Sequence, residues 1–460
     1  MIRRLMTDLI RPGDAGYDEA RRVWNGMIDR RPAEIIRARS VPEVQAAVAD
    51  ARARGLRLAI RGGGHNVAGN GTVDDGLVLD LRAWNEVAVD ADRGVVRVGP
   101  GAVLADVDRA TEPDRLVVPS GVVSQTGMAG LTLGGGVGWL TRAYGLTIDS
   151  LIAAEVVTAN GDVVRTSADE HPELFWGLRG GGGNFGVVTS FVFRAYPLAA
   201  GFFAGNLIYR RPRWGDALRA WRDWSVDLPS ELTTISTFLM PPDGWGLGAE
   251  TVLLLGGMWA GQDPEDGGGV LERLAAAAPP DERAIDETTW VAWQSGADEL
   301  FPKGVRAYWR NASFDALDNG LLETIARHAG TLDWARTGID IHLMGGAVAA
   351  VPDDATAYPN RAARFLLNIY GTWDEPERDA ERIAWVRAFH GDVAPHAAQG
   401  QYVNFLGLDR DGDPRAAALA AYGPAKLRRL IEVKRRYDPE NVFRLNHNID
   451  PGWPTDDLPG

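Results

Sequence analysis

The sequence predicts an α+β protein built from more than one domain, and three observations support that prediction. At 460 residues, the chain is too long for one ordinary hydrophobic core. Its 45% hydrophobic and 24% charged residues are the proportions of a folded globular protein. Helical and strand-like segments also alternate along its whole length. We therefore expect sheets and helices in each of two or more packed units.

Residues 1–200 carry the clearest element signals. Ser40, Pro42 and Glu43 form a helix start, and the amphipathic run that follows ends at Gly55. Residues 56–60 are typical of a short buried strand, which a glycine-rich loop ends. Three further strand-like runs are separated by turns: residues 77–81, 95–98 and 153–158. This part of the chain is predicted to be an α+β unit.

Residues 201–400 predict a second unit that contains a sheet. Strand-like runs at 251–255 and 365–370 alternate with helical ones such as 379–389. The three glycines 267–269 are interpreted as a loop. Near the end of the chain, residues 426–436 form a basic helical run, which in an acidic protein indicates a solvated face.

The charge balance excludes several classes of partner. A formal net charge of −14 repels nucleic acid and anionic membrane surfaces. The chain has no uncharged apolar stretch of about 18 residues, so no membrane span is expected. The first residues reach Asp8 before an apolar segment of signal-peptide length can form. We therefore expect a cytoplasmic protein; its oligomeric state is not predictable from the sequence.

The chain has no cysteine. This absence removes disulfides, iron-sulfur clusters, thiolate zinc sites and cysteine nucleophiles from consideration. The seven histidines show no metal-ligand spacing. We therefore expect no metal site.

Three glycine-rich segments, residues 61–71, 127–138 and 180–186, are the strongest functional signal. Glycine lets main-chain N–H groups approach a pyrophosphate without intervening side chains. Several such loops close together indicate a phosphate-bearing nucleotide cofactor. The alternative is that they are ordinary tight turns.

A Rossmann dinucleotide site is disfavoured, although residues 181–186 match the G-x-G-x-x-G spacing. That fingerprint needs a strand before the loop and a helix after it. Here residues 172–178 are helical in pattern and residues 187–193 are strand-like. The order of elements is therefore the reverse of the one required.

Arg61-Gly62-Gly63-Gly64-His65-Asn66 resembles the signature of the vanillyl-alcohol-oxidase (PCMH-type) flavoproteins, and more specifically of the berberine bridge enzyme-like oxidases. Four further segments resemble the same family in order: 120–139, 177–188, 402–405 and 446–449. The resemblance implies a two-part PCMH-type FAD-binding domain over residues 1–200. It also implies a substrate domain over 201–400, with an antiparallel sheet flanked by helices, and a C-terminal element over 401–460 that returns to the FAD domain.

The resemblance implies FAD bonded covalently through its 8α carbon to His65. Bicovalent members carry a cysteine at a position that corresponds to Val123, so one bond only is expected. Residues carried over as cofactor-binding are Arg61, Gly62, Gly63, Gly64, His65, Asn66, Gly69, Gly121, Thr126, Gly127, Gly130, Leu131, Gly134, Gly135, Gly138, Trp139, Gly186, Val187, Asn446 and Asn448.

By the same resemblance, Tyr402 is the candidate base above the flavin. A free phenol has a pKa near 10, so Tyr402 needs a neighbouring donor or cation to ionise. Asn404 shares its face if the segment is a strand. Tyr308, His342 and Tyr370 lie in strand-like runs and are candidate substrate contacts; His342 alternates with apolar residues and so faces away from the core side.

The function implied is an FAD-dependent oxidase. It removes hydride from an alcohol, an amine or a cyclisable secondary metabolite and passes the electrons to O2, which gives H2O2. Alternatives of the same fold are an oligosaccharide oxidase and an FAD dehydrogenase. A non-enzyme alternative is a nucleotide- or sugar-binding protein without redox activity, because a fold does not fix a function.

Overall fold

The computed structural model describes residues 8–407 and 412–458. The expectation that the chain begins without a signal peptide rests on its first eight residues. Of these, only Asp8 lies within the described ranges. Within the described ranges, no helix is both long enough and apolar enough to span a membrane.

The first sheet carries the N-terminal glycine loop. Its strands are β1 (Leu9–Ile10), β2 (Glu34–Arg37), β3 (Leu58–Arg61) and β4 (Leu77–Asp80), which lie in the order β1-β2-β4-β3. Strands β2 and β3 run parallel to β4. Helix α1 (Tyr17–Arg21) precedes β2, and helix α2 (Val41–Ala53) buries Val44, Val48 and Ala51 next to the sheet. The helix predicted to start at Ser40 is confirmed.

The second sheet is antiparallel and lies beside the first. Its strands are β5 (Val87–Asp90), β6 (Val95–Val98), β8 (Leu151–Val157), β9 (Val163–Ser167) and β10 (Val187–Arg194), in the order β5-β6-β10-β8-β9. A short pair joins β7 (Leu116–Val117) to β11 (Tyr196–Pro197). The helices of this region are α3 (Leu104–Thr111), α4 (Met128–Gly134), α5 (Thr141–Tyr144), α6 (Thr147–Ser150) and α7 (Pro172–Leu178). Helix α7 before the third glycine loop and strand β10 after it confirm that the Rossmann order is absent there.

The third sheet is antiparallel and has seven strands. They are β12 (Phe202–Tyr209), β13 (Leu232–Leu239), β14 (Val252–Trp259), β15 (Glu282–Thr288), β16 (Arg306–Phe314), β17 (Gly338–Leu343) and β18 (Phe365–Trp373), in the order β15-β12-β14-β13-β17-β18-β16. The helices are α8 (Trp214–Trp224), α9 (Pro264–Ala277), α10 (Trp290–Ser295), α11 (Asn319–Ala329), α12 (Ala347–Ala350) and α13 (Asp379–Val393). Helices α8, α9, α11 and α13 bury their apolar faces against one side of the sheet, as predicted for a sheet flanked by helices.

The two faces of this sheet differ in chemistry because side chains alternate along a strand. On β17, Ile339, Ile341 and Leu343 join the apolar core under the helices. Asp340 and His342 therefore point to the opposite face, and both are buried. The prediction that His342 faces away from the core is confirmed.

The prediction of a loop at residues 267–269 is wrong, because these glycines lie inside α9. A Cβ on Gly267 would lie 2.5 Å from the Cβ of Trp259. Glycine therefore lets the helix approach strand β14 closely. The sequence pattern alone does not separate this packing role from a turn.

The C-terminal segment returns to the first part of the chain. Helix α14 (Pro414–Tyr437) is kinked at Gly423, where φ is 71°, directly before Pro424. Its apolar residues Leu427, Leu430 and Ile431 join the core that also contains α7 and β10. The basic run of this helix is not wholly solvated as expected, because Lys434 is completely buried.

Candidate active site

One elongated cavity lies where the glycine-rich loops, the seven-stranded sheet and the C-terminal segment meet. The predicted site residues in its wall are Arg61, Gly62, Gly63, Gly64, His65, Asn66, Gly121, Thr126, Gly127, Gly130, Leu131, Gly186, Tyr370, Tyr402, Asn404 and Asn446. Residues from both ends of the sequence therefore share one wall. Among residues 8–407 and 412–458, no cluster of side chains has the composition of a metal site.

The first two glycine loops touch backbone to backbone. A Cβ on Gly63 would lie 2.5 Å from the Cα of Gly127, and a Cβ on Gly127 would lie 2.4 Å from the nitrogen of Gly63. The third loop is tied to the second, because the N–H groups of Gly180 and Gly182 both donate to the Leu133 carbonyl at 3.1 and 2.9 Å. The three loops thus form one continuous backbone surface along the cavity.

Gly63→Ala is expected to abolish binding of the FAD that the sequence resemblance implies, because the new methyl group would force the two loops apart. Purified variant and wild type are compared by flavin absorbance relative to protein absorbance. Gly269→Ala is the matched control, since Gly269 lies in helix α9 with nothing within 4 Å of its Cβ position. Alanine there should leave cofactor content unchanged and favour the helix by about 0.5–1 kcal/mol. A Gly63→Ala protein with full flavin content would contradict the packing role.

The His65 ring is fixed in the cavity wall by an aromatic neighbour. It stacks on Trp24 with ring centroids 4.6 Å apart and an interplanar angle of 21°. Its Nε2 atom is buried and has no hydrogen-bond partner within the described part of the chain. Burial lowers the pKa of His65 to about 4. The imidazole is therefore neutral at physiological pH and keeps one nitrogen lone pair available.

Trp24 supports the candidate residue His65 and was not predicted from the sequence. Its backbone N–H donates to the Gly64 carbonyl at 3.0 Å. Its indole Nε1 donates to the Phe301 carbonyl at 2.9 Å, which links the His65 loop to the other half of the molecule. No recognisable motif includes Trp24, and it is one of 16 tryptophans. Only the folded structure distinguishes it from a core residue.

Arg61 lines the cavity, and its guanidinium group bonds to backbone carbonyls. Its guanidinium donates to the carbonyls of Gly71, at 2.9 Å, and Ala20. Burial lowers the pKa of Arg61 to about 10, which leaves it charged at neutral pH. The side chain therefore holds the first glycine loop in shape, while its Nη2 atom is buried without a partner in the described residues.

Tyr402 and Asn404 meet in the wall, but not through the strand geometry that was expected. Residues Val403–Phe405 form a 3-10 turn that begins directly after Tyr402. The turn brings the Asn404 amide back to the phenol, so that Nδ2 donates to the Tyr402 hydroxyl at 2.9 Å. The Gly136 N–H donates to the same oxygen at 3.0 Å. The prediction of a strand is wrong, and the proximity of the two side chains is confirmed.

The electrostatics of Tyr402 follow from these contacts. Burial raises the pKa of the phenol to about 12, against the opposing effect of N–H donors from Asn404, Gly136 and Val137. No cation of the described residues contributes to this balance. The phenol is therefore protonated at neutral pH, and a phenolate formed there would be stabilised by hydrogen bonds alone.

Asn311 on β16 holds the backbone of this turn and was not predicted. Its Oδ1 accepts from the Tyr402 N–H at 2.9 Å, and its Nδ2 donates to the Tyr402 carbonyl at 3.0 Å. This paired contact fixes Tyr402 to the seven-stranded sheet. Asn311 lies far from Tyr402 in the sequence, and no local pattern connects them.

Asn446 occupies the opposite end of the site near the third loop. Its Nδ2 donates to the carbonyls of Gly183, at 3.0 Å, and Phe443, at 3.1 Å. The Oδ1 of Asn446 is buried and unpartnered in the described residues, as is Nε2 of the adjacent His447. Both residues line the cavity. This end therefore presents polar atoms that a ligand can satisfy.

Several predicted site residues lie outside the cavity wall: Gly69, Gly134, Gly135, Gly138, Trp139, Val187, Asn448, Tyr308 and His342. The glycines among them serve packing. A Cβ on Gly134 would lie 2.2 Å from Oδ1 of Asn404, and one on Gly138 would lie 2.0 Å from the Ser120 carbonyl oxygen. Trp139 packs against Trp293 at 5.0 Å in a separate apolar cluster.

The assignment of Tyr308 as a substrate contact is wrong by one position along the strand. It faces the helix layer, where the Arg387 Nε donates to its hydroxyl at 3.1 Å. The next residue, Trp309, faces the cavity instead. Because side chains alternate on a strand, a single position decides between core and site.

An aromatic cluster forms the cavity wall on the side of the seven-stranded sheet. Trp309 contacts Tyr370 at 5.1 Å, Phe405 at 6.0 Å and Phe301 at 6.1 Å, with interplanar angles of 73°, 77° and 75°. Val123 and Val122 pack against the same cluster. The wall near Tyr402 is therefore largely apolar, and the buried Trp309 Nε1 is an N–H group in it without a partner in the described residues.

Two family descriptions match the chain where these features lie. An FAD binding domain matches residues 32–167, which contain the first two glycine loops. A berberine and berberine-like domain matches residues 401–450, which contain Tyr402, Asn404 and Asn446. (R)-6-hydroxynicotine oxidase of Paenarthrobacter nicotinovorans is 31% identical over 452 residues, covering 96% of each chain.

The chain belongs to the berberine bridge enzyme-like family of FAD-linked oxidoreductases.

Other relatives agree with this assignment. An uncharacterized FAD-linked oxidoreductase of Bacillus subtilis is 28% identical over 97% of this chain and 98% of its own. The crystal structure of 6-hydroxy-D-nicotine oxidase from Arthrobacter nicotinovorans has a TM-score of 0.85 and 27% identity, over 96% of this chain and 98% of that one. Glucooligosaccharide oxidase from Acremonium strictum, described with a 6-S-cysteinyl, 8α-N1-histidyl FAD, shares the fold with a TM-score of 0.86 and 24% identity, over 98% and 99% of the two chains.

The residues of this berberine bridge enzyme-like protein fit FAD. The continuous glycine backbone leaves room for a pyrophosphate, and Gly130 and Gly183 face open space with nothing within 4 Å of their Cβ positions. Five buried polar atoms of residues in the cavity wall have no partner in the described residues: Arg61 Nη2, His65 Nε2, Trp309 Nε1, Asn446 Oδ1 and His447 Nε2. Buried polar atoms without partners are costly, by about 1–3 kcal/mol each. A bound flavin nucleotide offers partners to such atoms.

Proposed function

We propose that this enzyme carries FAD on a single covalent bond to His65 and oxidises a small, largely apolar alcohol or amine with O2. When bound, FAD supplies the two-electron chemistry: it accepts a hydride equivalent from the substrate carbon and returns the electrons to O2, which gives H2O2. The observation that carries the proposal is the neutral His65 ring, held in the cavity wall by Trp24 with Nε2 unpartnered.

A neutral imidazole is the form that can make a new bond through nitrogen, because protonation would occupy its lone pair. The low pKa of His65 keeps it in that form. Stacking on Trp24 restricts the ring to one plane. A second, cysteinyl bond has no candidate residue, since the sequence contains no cysteine and Val123 lies in the wall at the corresponding position.

Tyr402 is proposed as the residue that exchanges a proton with the substrate. Its oxygen accepts two N–H bonds, from Gly136 and Asn404, so its hydroxyl proton is free to point toward a ligand. Once ionised, the phenolate would accept the hydroxyl or amine proton of the substrate. Asn404 also donates to the Leu131 carbonyl at 2.9 Å, which keeps its amide in the orientation that donates to Tyr402.

The wall chemistry favours a compact aromatic or polyketide-like metabolite over an oligosaccharide. A sugar-binding groove presents the open face of an aromatic ring for stacking. Here the Trp309 ring meets the edges or faces of four neighbours, Trp24, Phe301, Tyr370 and Phe405. An oligosaccharide oxidase of the same fold is the alternative that a substrate panel tests.

The cofactor bond is tested on a denaturing gel viewed for flavin fluorescence after acid treatment. Wild type is expected to show a fluorescent band, and His65→Ala is expected to lose it. His396→Ala is the control, because His396 lies at the surface beside Asp318 and should keep the band. Flavin that leaves wild type on denaturation would remove the covalent bond from the proposal while keeping the enzyme.

Activity is tested by mixing the holoenzyme without oxygen with amines, alcohols and oligosaccharides and recording the flavin absorbance. Bleaching by an apolar amine or alcohol supports the substrate class, and H2O2 on exposure to air supports an oxidase. Bleaching without H2O2 would instead identify a dehydrogenase. A protein without any flavin would overturn the proposed function and favour a binding protein.

A further inference from the structure

A charged side chain without a counter-ion lies behind the aromatic wall. Asp340 on β17 is 7% exposed, and its Oδ1 has no hydrogen-bond partner among the described residues. Thr237 faces its carboxyl group from β13, and His342 Nε2 lies 3.8 Å from Oδ2. Burial lowers the pKa of His342 to about 4, so this histidine is neutral at physiological pH. No lysine or arginine in the described ranges pairs with Asp340.

Tyr370 connects this carboxylate to the cavity. It lines the cavity wall, and its hydroxyl donates a short hydrogen bond to Oδ2 of Asp340. A phenol has one proton, and here that proton is used on Asp340. The Asn368 amide faces the same oxygen as a donor, so the Tyr370 oxygen has no proton and at most one lone pair left for the cavity. A ligand group beside it must be a hydrogen-bond donor.

The rings packed around Tyr370 make its surroundings apolar and so favour a positive donor. Phe301 lies 5.4 Å from the Tyr370 ring, Trp309 lies 5.1 Å away and Phe405 lies 6.2 Å away. All four rings line the cavity. These edge-on contacts make the surroundings of Tyr370 apolar, and attraction between opposite charges is stronger in such a low-dielectric environment than in water. An ammonium group beside Tyr370 would meet the buried negative charge of Asp340.

We propose that Tyr370 and Asp340 form a recognition site for an amine, in which the Tyr370 oxygen accepts an N–H bond and the Asp340 carboxylate compensates the ammonium charge. The inference rests on the proposed function and narrows its substrate class from alcohols and amines to amines. Asp340 acts through Tyr370 and is a positioning residue. Tyr370 is the residue that touches the ligand.

A neutral donor makes only one of the two proposed interactions, the hydrogen bond to Tyr370. An alcohol can donate to Tyr370, but it brings no positive charge to the Asp340 carboxylate. An arylalkyl amine is protonated below a pKa of about 10, as lysine is. Charge-assisted hydrogen bonds are roughly twice as strong as neutral ones. We therefore expect an amine to bind at least about tenfold more tightly than its matched alcohol, a ratio that corresponds to about 1.4 kcal/mol.

The preference has a pH dependence with a defined sign. Burial raises the pKa of Asp340 to about 6, and the bonds from Tyr370 and Thr237 oppose that rise. The carboxylate is charged above this value and neutral below it. The tighter binding of amines should therefore be present at pH 7–8 and decline as the pH falls through about 6. His342 stays neutral through this window, because its pKa is about 4.

The test uses the FAD-loaded enzyme and pairs of arylalkyl amines and alcohols with the same carbon skeleton, from phenyl to naphthyl. Binding is followed at low temperature without oxygen, through the change in the flavin absorption spectrum. Wild type is expected to prefer the amine of each pair. Asp340→Asn and Tyr370→Phe are expected to bring the two affinities within about threefold of each other and to remove the pH dependence between pH 5 and 8.

Thr372→Val is the matched control, because Thr372 is buried on the same strand as Tyr370 and its hydroxyl has no partner in the described residues. It should leave the preference intact. Equal affinities in wild type, or a preference that survives Asp340→Asn, would overturn the inference while the flavin shows that the proposed function stands. Flavin-loaded wild type that binds none of the amines would overturn the inference in the same way. Wild type without flavin would instead show failure of the proposed function.

Discussion

Tyr402→Phe is expected to lower kcat/KM by roughly 10²–10⁴, the range for loss of a general acid-base group. The flavin should stay bound, because His65 lies in a different loop. The phenol oxygen is the atom to which Gly136 and Asn404 both donate, and removal of that atom removes the ionisable group at this point of the wall. The measurement is the rate of flavin bleaching under anaerobic conditions over a range of substrate concentrations, with the slope at low concentration compared between variant and wild type.

The pH profile separates this role from a structural one. The pKa of Tyr402 is raised to about 12 by burial, against the N–H donors. If the ionised form is active, wild-type kcat/KM rises with pH below the pKa of Tyr402, and the variant lacks that rise. Tyr358→Phe is the matched control, since its ring lies 5.8 Å from Tyr402 and does not line the cavity. A Tyr402→Phe enzyme with wild-type rates would exclude the phenol as the base.

The glycine loops were predictable because their signal is local. Each loop needs glycine within a few residues, either for a tight turn or for close backbone approach. Gly63 and Gly127 show why the pattern occurs twice: each leaves room for the backbone of the other. The sequence indicated both loops, although it did not indicate that they touch.

The residues that the sequence missed act across long separations. Trp24 supports His65, and Asn311 holds the backbone of Tyr402. Both contacts join parts of the chain that meet only after folding, so no spacing rule connects them. The Tyr308 assignment failed for a related reason, because strand register decides which of two adjacent aromatic residues faces the cavity. The sequence indicated only one member of the pair of Asp340 and Tyr370. Tyr370 was a candidate substrate contact, but its buried partner Asp340 on the neighbouring strand was not identified.

The C-terminal element shows how a charge can serve the site without touching it. The Lys434 ammonium is completely buried and donates to Asp438, to the Asn184 carbonyl and to the Phe443 carbonyl, at 2.7, 2.8 and 2.9 Å. All three of its donors are therefore used. Asn184 belongs to the third glycine loop, and Phe443 precedes Asn446 in the cavity wall. Lys434 thus links the third glycine loop to the segment before Asn446 without lining the cavity itself.

Lys434→Met is expected to lower the free energy of unfolding by about 3–5 kcal/mol, because it leaves the Asp438 carboxylate buried without its counter-ion. Chemical unfolding followed by tryptophan fluorescence measures this change. Lys303→Met is the control, since Lys303 is half exposed and pairs with Glu19 at the surface, where an ion pair contributes about 0–1 kcal/mol.

A double variant then separates the effect of the unpaired Asp438 charge on stability from the effect of the lost hydrogen bonds. If the cost of Lys434→Met comes from the unpaired carboxylate, Lys434→Met combined with Asp438→Asn should cost less than the sum of the single changes. Additive costs would mean that each side chain acts alone, through its bonds to the backbone. Because the Lys434 bonds hold the third glycine loop against the segment that contains Asn446, the single variant should also expose its flavin to solvent, seen as a change in the flavin absorption spectrum, at a lower denaturant concentration than the one at which it unfolds. Flavin exposure that coincides with unfolding would show that this contact serves stability but not the site in particular.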